Sequence, residues 1–159
     1  LHRLSLLIKQ HIRMVHLWTT FVTMETIHTR YLGELRTAAS HLQSGTAILT
    51  DAPTDNQGKG EAFSPTDLLA AALGSCLMTI MGIAGRTHGI ELEGTQLKIT
   101  KIMASQPRRV AEIKVVVEFP ATRSFSPKER QLLEHAARTC PVALSLHPDL
   151  LQSLEFVYP

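Results

Sequence analysis

The sequence is poor in the residue types on which several classes of protein depend. It has only two cysteines, too few for a disulfide-stabilised scaffold. Aromatic residues make up 5% of it, which leaves few side chains on which nucleic-acid bases could stack. The formal net charge is only +2, and no run of lysine and arginine marks a basic face. We therefore expect no nucleic-acid partner, and the sparing use of cysteine fits a reducing, cytoplasmic compartment.

Metal-binding motifs are also missing. Among the histidines, His88, His135 and His147 form no H-x-x-x-H or similar pair. The two cysteines, Cys76 and Cys140, form no C-x-x-C pair. The sequence thus predicts neither a bound metal nor any other resident cofactor.

Residues 1–23 differ in composition from the rest of the chain. They contain no acidic residue, and Arg3, Lys9 and Arg13 are spread through an apolar background. The uncharged run at residues 14–24 is short and has no convincing A-x-A cleavage site, so it does not read as a signal peptide. We interpret residues 1–23 as a loosely held extension and residues 24–159 as one domain, long enough to bury a core.

The longest apolar stretch, residues 64–86, predicts a helix around which the rest of the chain folds. Ser64, Pro65 and Asp67 give it a capping box with proline at the first helical position. No charged residue occurs at positions 68–85. Because this helix is apolar all round, we expect it to be enclosed by sheets or by a partner subunit. The stretch is about long enough to span a membrane, but its small residues and its capping box favour a soluble helix.

Strand patterns precede the central helix, and a hairpin and two helices follow it. The three early strands are predicted at residues 26–31, 35–42 and 46–50, before a loop rich in proline, aspartate and glycine at 51–63. Gly89 is a typical helix stop. Beyond it we predict strands at 92–103 and 110–119, helices at 126–139 and 141–146, and an edge strand at 154–158. This order indicates an α+β fold with mainly antiparallel sheets around the long central helix.

The two cysteines occupy different local settings. Cys76 lies in the middle of the apolar helix, where burial makes a thiol a weak acid unless a cation reaches it. Cys140 precedes Pro141 at the start of a short helix, where free backbone N–H groups favour a thiolate. One sulfur could cleave an O–O bond and the other could resolve the sulfenic acid to a disulfide. Simple core packing explains a buried cysteine as well, and spacing alone does not decide between the two.

Two strings around these cysteines resemble a known family. SPTDLLAAALGSC and HAARTCPVALSL are similar to the motifs of the osmotically inducible protein C and organic hydroperoxide resistance (OsmC/Ohr) superfamily, and the resemblance covers about residues 26–158. It implies an intertwined α+β homodimer with the cysteine helices at its centre. It also implies reduction of organic and fatty-acid hydroperoxides by an external dithiol such as dihydrolipoamide. Cys76 would then be the peroxidatic cysteine and Cys140 the resolving cysteine.

The family also uses an arginine that holds the first thiolate and a glutamate that orients this arginine. Arg36, just after the first turn, is the best-placed arginine, and a guanidinium suits the role because it stays charged when buried. The glutamate position of the family corresponds to Thr66 in this sequence. Asp67, one residue later, and Glu61, in the preceding loop, are the remaining candidate acids, so the resemblance points to a less-studied OsmC-like branch.

Two other functions stay open at the level of sequence. A non-catalytic dimer could bind a small molecule or act as a redox sensor, with the cysteines as packing or as a latch. A thiol acyltransferase or hydrolase could pair Cys76 with His135 or His88, although neither spacing is diagnostic. Apolar residues of the central helix could either shape a substrate pocket or pack the core, and we name Leu73, Met78 and Ile80 for this.

Overall fold

A computed structural model describes residues 24–159, so the predicted extension at residues 1–23 lies outside the described residues. The elements follow an α+β order, as predicted. They are β1 Ile27–Gly33, β2 Arg36–His41, β3 Ala47–Thr50, α1 Pro65–His88, β4 Gln96–Ser105, β5 Arg108–Glu118, α2 Pro127–Arg138, α3 Pro141–Ser145 and β6 Leu151–Val157. A single 3-10 turn at Thr54–Asn56 interrupts the loop before α1.

The strands form two separate three-stranded sheets. The first has the order β1-β2-β3 and is antiparallel throughout. The second has the order β4-β5-β6, in which β5 pairs antiparallel with β4 and parallel with β6. The last strand is therefore an edge strand, as predicted. It runs parallel to β5 because the chain returns to the sheet through α2 and α3 rather than through a hairpin.

Both long helices begin as their sequences predict. The Ser64 hydroxyl accepts the Asp67 backbone N–H, and the Asp67 carboxylate accepts the Ser64 N–H in return. Ser126 and Glu129 form the same reciprocal pair at the start of α2. Gly89 ends α1 at a φ of 67°, a left-handed conformation that glycine adopts without steric cost. The ends of these helices are thus fixed locally.

One face of α1 forms the core with the second sheet and α2. Leu73, Leu77 and Met81 are fully buried there. They belong to a cluster with Ile113, Val115, Val117 and Leu133. Gly74 lets the helix approach β4 closely, since a Cβ at this position would lie 2.3 Å from Cδ1 of Ile99. This packing fixes where α1 sits over the sheet.

The opposite face of α1 is open in a single subunit. Ile83 is 57% exposed, and only 33% of the most apolar part of the helix is buried. The sheets of one chain therefore do not enclose the helix on every side. With a mean hydropathy of 1.9 over that part, α1 could cross a membrane by length and composition, a test that core helices of soluble proteins also pass.

The first sheet projects from the core and is open on both of its faces. Ile48 and Leu49 follow one another along β3 and so point to opposite faces, and both are exposed. The side chains of Ile27 and Tyr31 on β1 are exposed as well. In this chain the first sheet therefore exposes apolar side chains on both of its faces.

Candidate functional site

The two cysteines meet where α3 packs against α1. Cys140 is the residue that caps α3, and its Sγ accepts the backbone N–H of Ala143 at 3.2 Å. Its side chain lies next to Cys76 of α1. Both thiols are free, Cys76 partly exposed and Cys140 fully buried. The tertiary fold thus brings together the two sulfurs that the sequence separates.

Burial decides the protonation state of Cys140. Loss of water around the thiol raises its pKa, and the neighbouring Cys76 thiol raises it further. Hydrogen bonds from the N–H groups of Ala143 and Val142 act in the opposite direction but do not outweigh burial. The N–H groups at the helix start favour a thiolate, as predicted, but the sequence did not reveal that Cys140 is fully buried, and burial makes the net change in its pKa upward.

Both sulfurs belong to the apolar core: Cys140 is part of its buried cluster, and Cys76 packs against it. Val142, Ala143 and Leu146 of the α3 region pack against the core cluster, as does Leu69 of α1. The three helix residues predicted to shape a pocket or to pack the core differ in their burial. Leu73 is fully buried, which makes it a core residue, whereas Met78 and Ile80 remain partly exposed.

Arg36 forms ion pairs with two acids of the loop that leads into α1. Its Nη2 lies 3.1 Å from Oδ2 of Asp51, and it also pairs with the Glu61 carboxylate. Both acids raise the pKa of Arg36, Glu61 more than Asp51. One sequence-predicted acid, Glu61, thus does contact the candidate arginine.

Asp51 is a site residue that sequence reasoning missed. It is fully buried and accepts the Glu61 backbone N–H at 3.0 Å, which lowers the pKa of its carboxyl together with the Arg36 guanidinium. The sequence predicts a loop at 51–63 because its residues are typical of turns, and Asp51 is its first residue. The available signal was its position directly after an apolar strand, where a short acid can still point inward.

Within one subunit, the structure does not bring Arg36 to the cysteines. Glu61 precedes α1, whereas Cys76 lies eleven residues beyond its first residue, about 16 Å along the helix axis. Across residues 24–159 no ion pair or hydrogen bond joins a cationic side chain to either sulfur. A cation at Cys76 would have to come from elsewhere.

Asp67 and Thr66, at the start of α1, bind a lysine instead of an arginine. Lys101 of β4 lies 2.7 Å from the Asp67 carboxylate and donates to the Thr66 hydroxyl at 2.8 Å. Burial opposes ionisation of Asp67, yet Lys101 and Ser64 lower its pKa overall. The Asp67 carboxylate therefore caps α1 and pairs with Lys101. Sequence reasoning missed Lys101 because it appeared as one position of an alternating strand.

The histidines proposed for an acyltransferase lie together, but away from Cys76. His88 and His135 line one surface groove between the end of α1 and α2. His88 lies twelve residues beyond Cys76, about 18 Å along the helix. Among the residues that the structure covers, no group of three or more His, Cys, Asp or Glu side chains is arranged to hold a metal ion.

Comparison with known proteins gives one family and a set of related structures. The family model described as OsmC-like protein matches residues 58–151. A Psychrobacter arcticus structure, named for an osmotic stress induced and detoxification response protein, is 48% identical, with a TM-score of 0.82 over 87% of this chain and 99% of its own. No curated protein matches the chain.

Two more distant structures share the fold. An organic hydroperoxide resistance protein OsmC from Legionella pneumophila is 16% identical, with a TM-score of 0.63 over 84% of this chain and 98% of its own. An organic hydroperoxide resistance protein from Elizabethkingia anophelis is 17% identical, with a TM-score of 0.62 over 86% of this chain and 99% of its own. At these identities the likeness concerns the fold alone.

Proposed function

The chain belongs to the OsmC-like protein family, and we propose that it is a thiol-dependent peroxidase that reduces organic and fatty-acid hydroperoxides. The observation that carries the proposal is the contact between two free thiols from remote parts of the sequence, Cys76 and Cys140, in apolar surroundings. Relatives of the same fold are named for hydroperoxide resistance, which supports this substrate class.

The proposed cycle uses the two sulfurs in order of their exposure. The Cys76 thiolate attacks the outer oxygen of the hydroperoxide, so that an S–O bond forms, the O–O bond breaks and the alkoxide leaves as an alcohol after taking a proton. Cys140, deprotonated in this second step, attacks the Cys76 sulfenic acid. An S–S bond forms and the hydroxyl leaves as water. An external dithiol such as dihydrolipoamide then reduces the disulfide and is itself oxidised to its cyclic disulfide.

We also propose that the protein acts as a homodimer. The exposed face of α1 and both faces of the first sheet carry apolar side chains, among them Ile83, Ile48 and Leu49. Burying such a surface stabilises an assembly by about 25 cal/mol for each Å² of apolar area removed from water. A second copy presents the same apolar elements and would cover both features at once.

A dimer would also provide a way to bring an arginine to Cys76. In one subunit no contact joins Arg36 to Cys76, and its partner Glu61 precedes α1, whose first residue lies about 16 Å along the helix from Cys76. We propose that Arg36 acts across the subunit boundary, with Asp51 and Glu61 fixing its orientation. Both acids pair with its Nη2, and no hydrogen bond of Nη1 occurs within residues 24–159, so the guanidinium keeps donors at Nη1 for a thiolate or a peroxide oxygen. The unpaired cysteines fit a cytoplasmic location as part of this proposal.

The test is to mix the reduced protein with cumene hydroperoxide or a fatty-acid hydroperoxide and to follow both thiols by mass spectrometry. We expect a disulfide between Cys76 and Cys140, and turnover with dihydrolipoamide that Cys76→Ser abolishes. The matched control is Thr79→Ser on the exposed side of the same helix, which should turn over normally.

Other outcomes of this test identify other functions. If both thiols stay reduced under excess hydroperoxide, the peroxidase proposal fails and a binding role takes its place. A thioester at Cys76 after incubation with an acyl donor would instead indicate acyl transfer, and the same spectra would reveal it.

A further inference from the structure

A groove beside α3 lies at the far end of the helix pair that carries the cysteines. It has a volume of about 660 Å³. Its walls include Thr66 and Leu69 from α1, Ser145 and Leu146 from the α3 region, and Arg109 from β5. The family comparison assigns no role to this groove.

The groove is aligned with the cysteines by the packing of the two helices. Cys140, at the start of α3, contacts Cys76, whereas Leu146, just after the end of α3, shares the groove with Leu69. The two helices therefore run in opposite directions. Leu69 lies seven residues before Cys76, about 10 Å along α1 and on the same face of the helix.

In one subunit the surface between the groove and Cys76 is apolar and exposed, and it lies on the face of α1 that the proposed dimer would enclose. Leu69 and Cys76 are partly exposed, and Ala72 between them is exposed. Leu69, Val110, Leu146 and Leu150 supply apolar wall at the groove itself. An extended hydrocarbon chain could therefore lie along α1 with its middle at Cys76 and one end in the groove.

The polar end of the groove carries Arg109 together with Asp149 and His147. Arg109 is 40% exposed, and its ion pair with Asp149 is 3.9 Å long, beyond hydrogen-bond distance, so its N–H groups donate to no side chain within residues 24–159. Its neighbour Arg108 is similarly exposed at 43% but donates to Asp55 at 3.1 Å and does not line this groove. A guanidinium with free N–H groups binds a carboxylate through two parallel hydrogen bonds.

We propose that this groove takes the carboxylate end of an amphiphilic, long-chain hydroperoxide, and that Arg109 binds the carboxylate while the peroxide group reaches Cys76. This inference rests on the proposed peroxidase function and adds a specificity-determining residue to it. Arg109 lines the groove and makes no hydrogen bond to either sulfur, so it should affect substrate binding and not the chemical step.

The experiment compares linoleic acid hydroperoxide with its methyl ester, which has the same chain but no charge. We expect Arg109→Met to raise KM for the acid about tenfold or more, the value of one lost charge-assisted hydrogen bond, with kcat little changed. KM for the ester should stay the same. The matched variant Arg108→Met should leave the kinetics of both substrates unchanged.

Two results would overturn the inference. The acid-to-ester ratio of KM could be the same in Arg109→Met as in the unmodified protein, or Arg108→Met could shift it equally. If the unmodified protein reduces neither substrate, the peroxidase proposal fails on its own, and equilibrium binding of linoleic acid and methyl linoleate then decides about the groove. Tighter binding of the acid that Arg109→Met abolishes would support the groove, and equal binding would refute it.

Discussion

The buried carboxylate of Asp51 lies 3.1 Å from the guanidinium of Arg36, and this contact ties the end of β3 to the start of β2. The same carboxylate oxygen accepts the backbone N–H of Glu61, at the far end of the loop before α1. One side chain therefore joins the first sheet, the loop and the candidate arginine. Removing Arg36 would leave the buried Asp51 carboxylate without its ionic partner.

The Asp51→Asn substitution should destabilise the protein in a pH-dependent way. The folded state lowers the pKa of Asp51, so its ionised carboxylate stabilises the fold above the ordinary value of 3.8, and this contribution is lost as the pH falls through the lower folded value. We expect the Tm of the variant to be several degrees lower at pH 7, with a gap that narrows below about pH 4. Circular dichroism melts from pH 7 downward measure it. Asp55→Asn, on an exposed acid of the same loop, is the control, and a gap independent of pH would contradict the assignment.

Cys140 should be the less reactive thiol of the native protein. It is fully buried and its pKa is raised by that burial, whereas Cys76 is partly exposed. We expect iodoacetamide to modify Cys140 about tenfold or more slowly than Cys76 at neutral pH, because the site must open first. Peptide mass spectrometry after timed quenching gives both rates. The difference should vanish in denaturant, and faster modification of native Cys140 would show that burial does not control it.

The Cys140→Ser variant should trap the first oxidised intermediate. Without the second sulfur, a Cys76 sulfenic acid has no neighbour with which to form a disulfide. One equivalent of hydroperoxide should therefore yield a dimedone adduct on Cys76, with turnover by dihydrolipoamide strongly reduced. Cys76→Ser serves as the matched variant and should give no adduct. An adduct on Cys140 in that variant would reverse the two roles.

The loop before α1 should tolerate no side chain at Gly58. A Cβ there would lie 1.7 Å from the backbone oxygen of Ala52, so the backbone must move. We expect Gly58→Ala to cost about 2 kcal/mol of unfolding free energy, as overpacking does elsewhere. Gly82→Ala is the control: its Cβ meets nothing within 4 Å, and alanine in a helix gains up to about 1 kcal/mol. Urea unfolding measures both, and equal effects would argue against a closely packed loop.

The exposed face of α1 should govern the oligomeric state. Light scattering after gel filtration should give twice the mass of one chain. Ile83→Glu should shift the protein to monomers, since a charge would be buried without a partner at the interface. Gln131→Glu, which adds the same charge at an exposed position of α2, is the control. A monomeric unmodified protein would refute the dimer.

The local features of this fold could be read from the sequence because neighbouring residues determine them. The capping boxes of Ser64 with Asp67 and of Ser126 with Glu129 close within one helical turn. The β4–β5 hairpin needs only a turn and two alternating strands. The family motifs around Cys76 and Cys140 are likewise short strings, so the family could be recognised without coordinates.

Long-range features could not be read in the same way. From the sequence, Asp51 is typical of a turn, and only the fold shows that its carboxylate pairs with Arg36. The parallel pairing of β6 depends on the path of the chain through two helices. The sequence also indicated a thiolate at Cys140, because it revealed the free N–H groups but not the loss of solvent that raises the pKa.

What the sequence determined by itself is therefore the order of the elements, the capped starts of the two long helices and the two cysteine motifs. Two strand ends differ: the strand predicted at 92–103 is Gln96–Ser105, and the one predicted at 154–158 is Leu151–Val157, because strand ends depend on pairing with the neighbouring strand. The tertiary structure alone decided which side chains meet, which carboxylate is buried and which face of α1 is left open. The physical reason is that capping and strand alternation are interactions between near neighbours. Desolvation and ion pairing instead depend on groups that only the folded chain brings together.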